Sequence, residues 1–146
     1  TKEDVFYELY RKADEYFEEE VEPLLYTEEM DVQKRVLLFF RKYALYNVNN
    51  GLEYVSQLYT ANNRFFIDRE RYMLDLLFRI ITDGQKTGQM RVDLDPEEIM
   101  EDLFIVSRGL VFDWCLHDGA YALEEKMHTH LKRHLRVFCE LSEIQE

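Results

Sequence analysis

The chain has 146 residues, 47% of them hydrophobic and 14% aromatic, which suffices for one core of ordinary size and excludes a disordered segment. Its 30 acidic and 18 basic residues leave a net charge of -12, with EEEVE at residues 18 to 22. That balance argues against a direct nucleic-acid surface, because a duplex binder needs a basic stripe to displace counterions from phosphate.

Val5, Leu9, Ala13 and Tyr16, broadened by Phe6, Tyr10 and Phe17, keep helical spacing and predict a first helix from Thr1 to about Glu20, ended by Pro23. A second helix is predicted to start near Thr27. Between Val36 and Tyr46 only Arg41 and Lys42 interrupt its apolar run, so it is mostly interior, and Asn49, Asn50 and Gly51 suit its end. A short helix over Leu52 to Tyr59 and a break at Ala61, Asn62 and Asn63 come next. Then a helix is predicted from about Arg64 to Asp83, with Phe66, Met73, Leu77 and Ile80 on one line and Leu74, Phe78 and Ile81 on the next, stopped by Gly84. Residues 84 to 95 form the longest polar connection, in which Met90 to Leu94 is the sole candidate strand.

The stretch from Asp95 to Gly119 has the clearest limits. Asp95 suits a helix cap, Pro96 the first helical position, and Glu98 the reciprocal position of a capping box. From Leu103 to Leu116 only Ser107, Arg108 and Asp113 are polar, and they point in different directions around the axis. A helix without a solvated face is buried or spans a membrane, and its charges leave too short an apolar run to span. The expectation is a central helix covered partly by its own domain and partly by a partner. A last helix is predicted from about Ala122 to Leu141, with Leu123, Met127, Leu131, Leu135 and Phe138 on one side. The fold class is therefore an all-α bundle of about six helices, one domain over residues 1–146.

Cys115 and Cys139 lie in apolar helical stripes and read as buried thiols in a reducing, cytoplasmic compartment. The start at Thr1, directly in a helix, suggests a fragment or a processed product. No phosphate loop, metalloprotease motif, nucleophile elbow or CxxC pair is present, so no catalytic residue, metal or cofactor is assigned. His130 and His134 share a helical face, which suits a helix contact more often than a metal. Ten tyrosines and ten phenylalanines either fill the core or line an apolar cavity with a few polar tips. Arg108 needs an acceptor: a carboxylate from another helix, the commoner arrangement, or carbonyl oxygens, or an anionic ligand. Gly109 costs its helix roughly 1 kcal/mol relative to alanine, a loss that close approach of another helix would offset.

The tract GQMRVDLDPEEIMEDLFIVSRGLVFDW resembles the penultimate-helix region of tetracycline-repressor (TetR) family regulators, and KEDVFYELYRKADEYF looks like that family's connecting helix. The resemblance is one of pattern and helix order over essentially the whole chain. It implies the effector-binding and dimerisation half of a transcription regulator, not an enzyme, whose DNA-reading helices precede this chain. It implies a homodimer through the last two helices, placed here on Ile105, Gly109, Phe112, Leu116, Met127, Leu131, His134 and Phe138. It further implies a pocket for a small, apolar or aromatic effector, for which helical-wheel positions select Phe40, Tyr43, Asn47, Tyr59, Phe66, Phe78 and Arg108. DNA would be met only through the missing domain, and no membrane is involved. The competing readings are a helical interaction module without a ligand and a metal-dependent enzyme using His130 and His134.

Overall fold

The computed structural model of the chain describes residues Thr1 to Cys139, without the side chains of Lys2 and Glu3. These residues form helices and turns with no strand among them. Helix α1 (Lys2–Tyr16) passes through a π turn (Phe17–Val21) into α2 (Glu22–Tyr26). Then come α3 (Val32–Asn50), α4 (Leu52–Leu58), a 3-10 turn (Arg64–Ile67), α5 (Tyr72–Lys86), α6 (Pro96–Leu116) and α7 (Leu123–Cys139). With the first three segments taken as one body, this is the expected six-helix, all-α architecture.

Pro23 does not end the first helix. The π turn before it, in which the Glu22 amide reaches back to the Phe17 carbonyl, widens the spiral and lets the helical path continue to Tyr26. The burial pattern shows why a wide turn suits this place. Tyr10, Ala13, Phe17, Val21 and Leu25 are all buried, and the last three steps are of four residues. Each such step overshoots an α-helical turn by about 40°, so a regular helix would carry Leu25 off the stripe. A wider turn takes up part of that drift.

Helix α3 begins at Asp31, whose side chain accepts from the Lys34 amide, and not at Thr27. It packs most extensively against α7 and also touches α2, α4, α5 and α6, so the hub of the bundle is α3 rather than α6. Phe39, Phe40 and Ala44 are fully buried along it. Gly51, at φ +95°, ends it as its composition suggested.

The helix expected from Arg64 is divided. Asn63 caps a 3-10 turn through the Phe65 amide, Asp68 and Arg71 follow in extended backbone, and α5 starts only at Tyr72. Gly84 does not stop α5 but lies inside it, where an added Cβ would come within 2.6 Å of Val32 Cγ2. The glycine permits the crossing of α3 and α5. Gly84→Ala is expected to lower stability by about 1 kcal/mol in urea denaturation. Overpacking costs about 1–3 kcal/mol, which exceeds the roughly 1 kcal/mol gained in helix propensity. Adding Val32→Ala should relieve the clash, leaving the double variant less impaired than the two separate losses imply.

The polar connection is tightly held and contains no strand. Gln85 donates to the Arg91 and Leu94 carbonyls, Gln89 accepts from the Val32 amide, and Arg91 donates from its amide and guanidinium to the Phe138 and Val137 carbonyls. Asp95 caps α6 through the Glu97 amide. Asp118 and Gly119, both at positive φ, close that helix. The predicted end of α7 at Leu141 lies outside the described residues.

Candidate functional site

A cavity of about 40 Å³ lies where α1, α3, α4, the 3-10 turn, α5 and α6 converge. Leu9, Tyr10 and Ala13 reach it from α1. Tyr43, Tyr46, Asn47 and Asn50 come from α3, spaced to share one helical face. Tyr54, Leu58 and Tyr59 follow from α4 and its end, Phe66 from the 3-10 turn, Arg71, Met73 and Leu74 from the start of α5, and Phe104 and Arg108 from α6. Neither aspartate nor glutamate is among the lining residues.

The polar groups are arranged in two sets. Tyr43 and Tyr59 share a hydrogen bond between their hydroxyls at 2.5 Å, and the Asn47 amide donates to the Tyr43 carbonyl. Burial pushes the Tyr43 hydroxyl up and the Tyr59 hydroxyl well above its ordinary pKa, the neighbouring Tyr43 adding to the latter. Only one proton can occupy the link between the two oxygens, so the other hydroxyl keeps its own proton for a further acceptor. The second set is built on Arg71, which is nearly buried. Its Nε and Nη2 donate to the two Asp14 oxygens at 3.2 and 3.1 Å, and its guanidinium lies over the Tyr10 ring at 4.4 Å. Asp14 also accepts from the Met73 amide, and Tyr10 accepts from Asn63, which bonds the Leu58 carbonyl as well. Burial, then the neighbouring Tyr43, raises the Tyr10 pKa. Helix α1 is thus tied to the start of α5 through the wall of the cavity.

Arg108 has a carbonyl partner where a carboxylate was the commoner expectation. Its Nη1 donates to the Phe66 carbonyl at 3.3 Å, and among the described residues it forms no ion pair.

Of the seven residues selected for a pocket, Tyr43, Asn47, Tyr59, Phe66 and Arg108 line this cavity. Phe40 and Phe78 do not. Phe40 is fully buried one layer behind, with its ring edge-on to Tyr43 and Phe104, because α3 turns that face toward the core. Phe78 sits on the outer side of α5 with the Arg69 guanidinium 4.7 Å above its ring. Phe104 was legible as the residue one turn before Arg108. Arg71 was not, since its partner is 57 residues away and the pairing has no sequence period.

The second group of selected residues is split. Ile105, Phe112 and Leu116 are 60%, 50% and 64% exposed and, with Gly109, form a continuous stripe along α6. A Cβ at Gly109 would meet nothing within 4 Å, so no other described helix approaches it. Met127 and Leu131 are fully buried and Phe138 nearly so, facing the chain's own core where α7 meets α3. They have no surface left for a partner. His134 lies between the two groups, with Nε2 2.7 Å from an Asp102 oxygen of α6.

His130 bonds the Lys126 carbonyl through Nδ1, so the two histidines turn to different partners. No group of three or more histidine, cysteine, aspartate or glutamate side chains is placed to hold a metal among the described residues. Cys115 and Cys139 are half-buried. No described helix is long and apolar enough to cross a membrane.

Comparison with family profiles, with characterised proteins and with solved structures gave no match in any of the three.

Proposed function

We propose that the chain is the effector-binding and dimerisation part of a TetR-like transcriptional regulator, in which a ligand in the cavity repositions α1. The observation that carries this reading is the composition of the cavity wall. Five tyrosines, two asparagines and two arginines are set among phenylalanines and aliphatic side chains where α1, α3, α4, α5 and α6 converge. Helix α1 supplies Tyr10 and reaches α5 through Asp14 and Arg71, so a molecule that reshapes the wall pushes on α1. Only a ligand that binds one arrangement better than the other can shift the equilibrium between them. At about 40 Å³ the cavity admits water rather than a drug-sized molecule, whose sites occupy about 300–1,000 Å³. The ligand-bound arrangement is therefore a more open one. In the intact regulator, α1 would change the separation of two DNA-reading domains that must meet half-sites about 34 Å apart.

The exposed stripe of α6 supports the dimer. A glycine in mid-helix has a cost, none of the described residues fills the space over it, and a two-fold partner using the same patch would fill that space. Ile105→Glu combined with Phe112→Glu is expected to convert a dimer to a monomer in sedimentation equilibrium, with the helical circular dichroism retained. A wild-type chain that sediments as a monomer at micromolar concentration overturns the dimer. The effector reading is tested in the intact regulator: a molecule that binds this chain but leaves operator affinity unchanged would contradict it.

The small cavity favours a second reading, a helical interaction module without a ligand. In that case no small molecule perturbs the Tyr43, Tyr59 and Phe104 resonances, while the double glutamate variant still dissociates.

A further inference from the structure

The cavity wall carries a charge that the structure leaves uncompensated. In a chain of net charge -12, the lining holds two arginines and no carboxylate. Arg71 is committed to both oxygens of Asp14, whereas Arg108 spends one of its five N–H donors on a single carbonyl at 3.3 Å. A half-buried guanidinium cannot lose its proton, so it stays charged and keeps donors for an anionic acceptor. Its charge reaches the Tyr43 hydroxyl, where it opposes the upward effect of burial. The hydroxyl pair at Tyr43 and Tyr59 has one proton to spare for the same acceptor.

Arg108 also stands in a partition. Phe66, Leu74, Phe104 and Arg108 line both the cavity and an outer groove of about 400 Å³ between the 3-10 turn and α6. The bond to the Phe66 carbonyl holds the guanidinium there, so turning Arg108 aside breaks one modest hydrogen bond and joins the two spaces. The acidic groups of the groove are Glu97, which is paired with Arg69 at 2.8 Å, and the exposed Glu101. Both belong to the groove and not to the cavity.

Resting on the effector reading above, we propose that the ligand is a monoanionic and otherwise apolar molecule, a carboxylate on an aromatic or short aliphatic body. Its carboxylate displaces the Phe66 carbonyl from Arg108 and accepts a hydrogen bond from the spare Tyr43 or Tyr59 hydroxyl. The apolar body lies against Leu74, Phe66 and Phe104.

Matched acid and amide probes test this: benzoate with benzamide, phenylacetate with phenylacetamide, and octanoate with octanamide, titrated into the purified protein by NMR. At neutral pH the acids are expected to bind about 10- to 100-fold more tightly than their amides, the range for a hydrogen bond to a charged group. Arg108→Gln should remove that preference, bringing each acid to the affinity of its own amide in the same variant, with circular dichroism reporting its fold. The wild-type comparison needs no variant. Equal binding of acids and amides to the wild type, or a preference that survives Arg108→Gln, overturns the anionic ligand and leaves the cavity as an effector site. If no probe moves the Tyr43, Tyr59 or Phe104 resonances, the effector reading itself falls, and this inference with it.

Discussion

Arg71→Met is expected to cost about 3–5 kcal/mol of folding free energy, read from the urea midpoint at constant slope. The guanidinium is 8% exposed and satisfies both oxygens of Asp14, itself largely buried, so the variant strands a carboxylate with the Met73 amide as its remaining described donor. The loss is the penalty for an orphaned charge and not the net worth of the pair. An additional Asp14→Leu should therefore recover part of it, because removing both partners of a buried ion pair is often close to neutral. Recovery will be incomplete, since the Met73 amide then loses its acceptor at a cost of about 1–3 kcal/mol. If Arg71→Met cost less than about 1 kcal/mol, the value of an exposed surface pair, the pair would not be tying α1 to α5.

The second large effect is alkaline. Tyr10 and Tyr43 are buried, and burial raises both above the ordinary tyrosine value of 10.0. Because the native state keeps these protons after the unfolded chain has released them, their contribution is fully present below pH 10 and is lost as pH rises toward the folded values. Each such tyrosine then lowers stability by about 1.4 kcal/mol per pH unit, and together with Tyr59, which burial also raises, the three do so by about 4. Phenolate absorbance is expected to show exposed tyrosines ionising first and a buried set ionising only together with the loss of helical circular dichroism. Tyr43→Phe should flatten the slope by about a third. Smooth ionisation of all ten tyrosines with the helices intact would contradict the burial of these hydroxyls.

What the sequence made legible depended on whether the controlling force was local. The ends of α3 and α6 were readable because Asn49 to Gly51, Asp95 and Gly119 act on their own backbone. Five of the seven residues selected from helical-wheel positions, Tyr43, Asn47, Tyr59, Phe66 and Arg108, line the cavity. The failures share another cause. Gly84 was taken for a stop, yet its position is fixed by Val32, a residue 52 positions away. Thr27 and Arg64 were taken as helix starts, but Asp31 provides the cap of α3, and the stretch before Tyr72 is extended where Arg71 meets Asp14. Met127, Leu131 and Phe138 were given to a partner because periodicity identifies an apolar face without saying which neighbour covers it. The proximity of α3, which lies far earlier in the chain, decides that question.

The π turn at Phe17 to Val21 sets the rotational phase between the two parts of the first helical body. Upstream, Tyr10 and Asp14 address the cavity wall; downstream, Leu25 and Glu22 meet the core and the Tyr72 and Arg79 side chains of α5. Deleting Glu19 would leave the chemistry of both parts untouched while turning one against the other by about 100°, the angle of one helical residue. In that sense residues 17 to 21 work as a phase adjuster. They let one continuous helix answer to two separate docking surfaces, a task that a regular α-helix of the same sequence length would perform for only one of them.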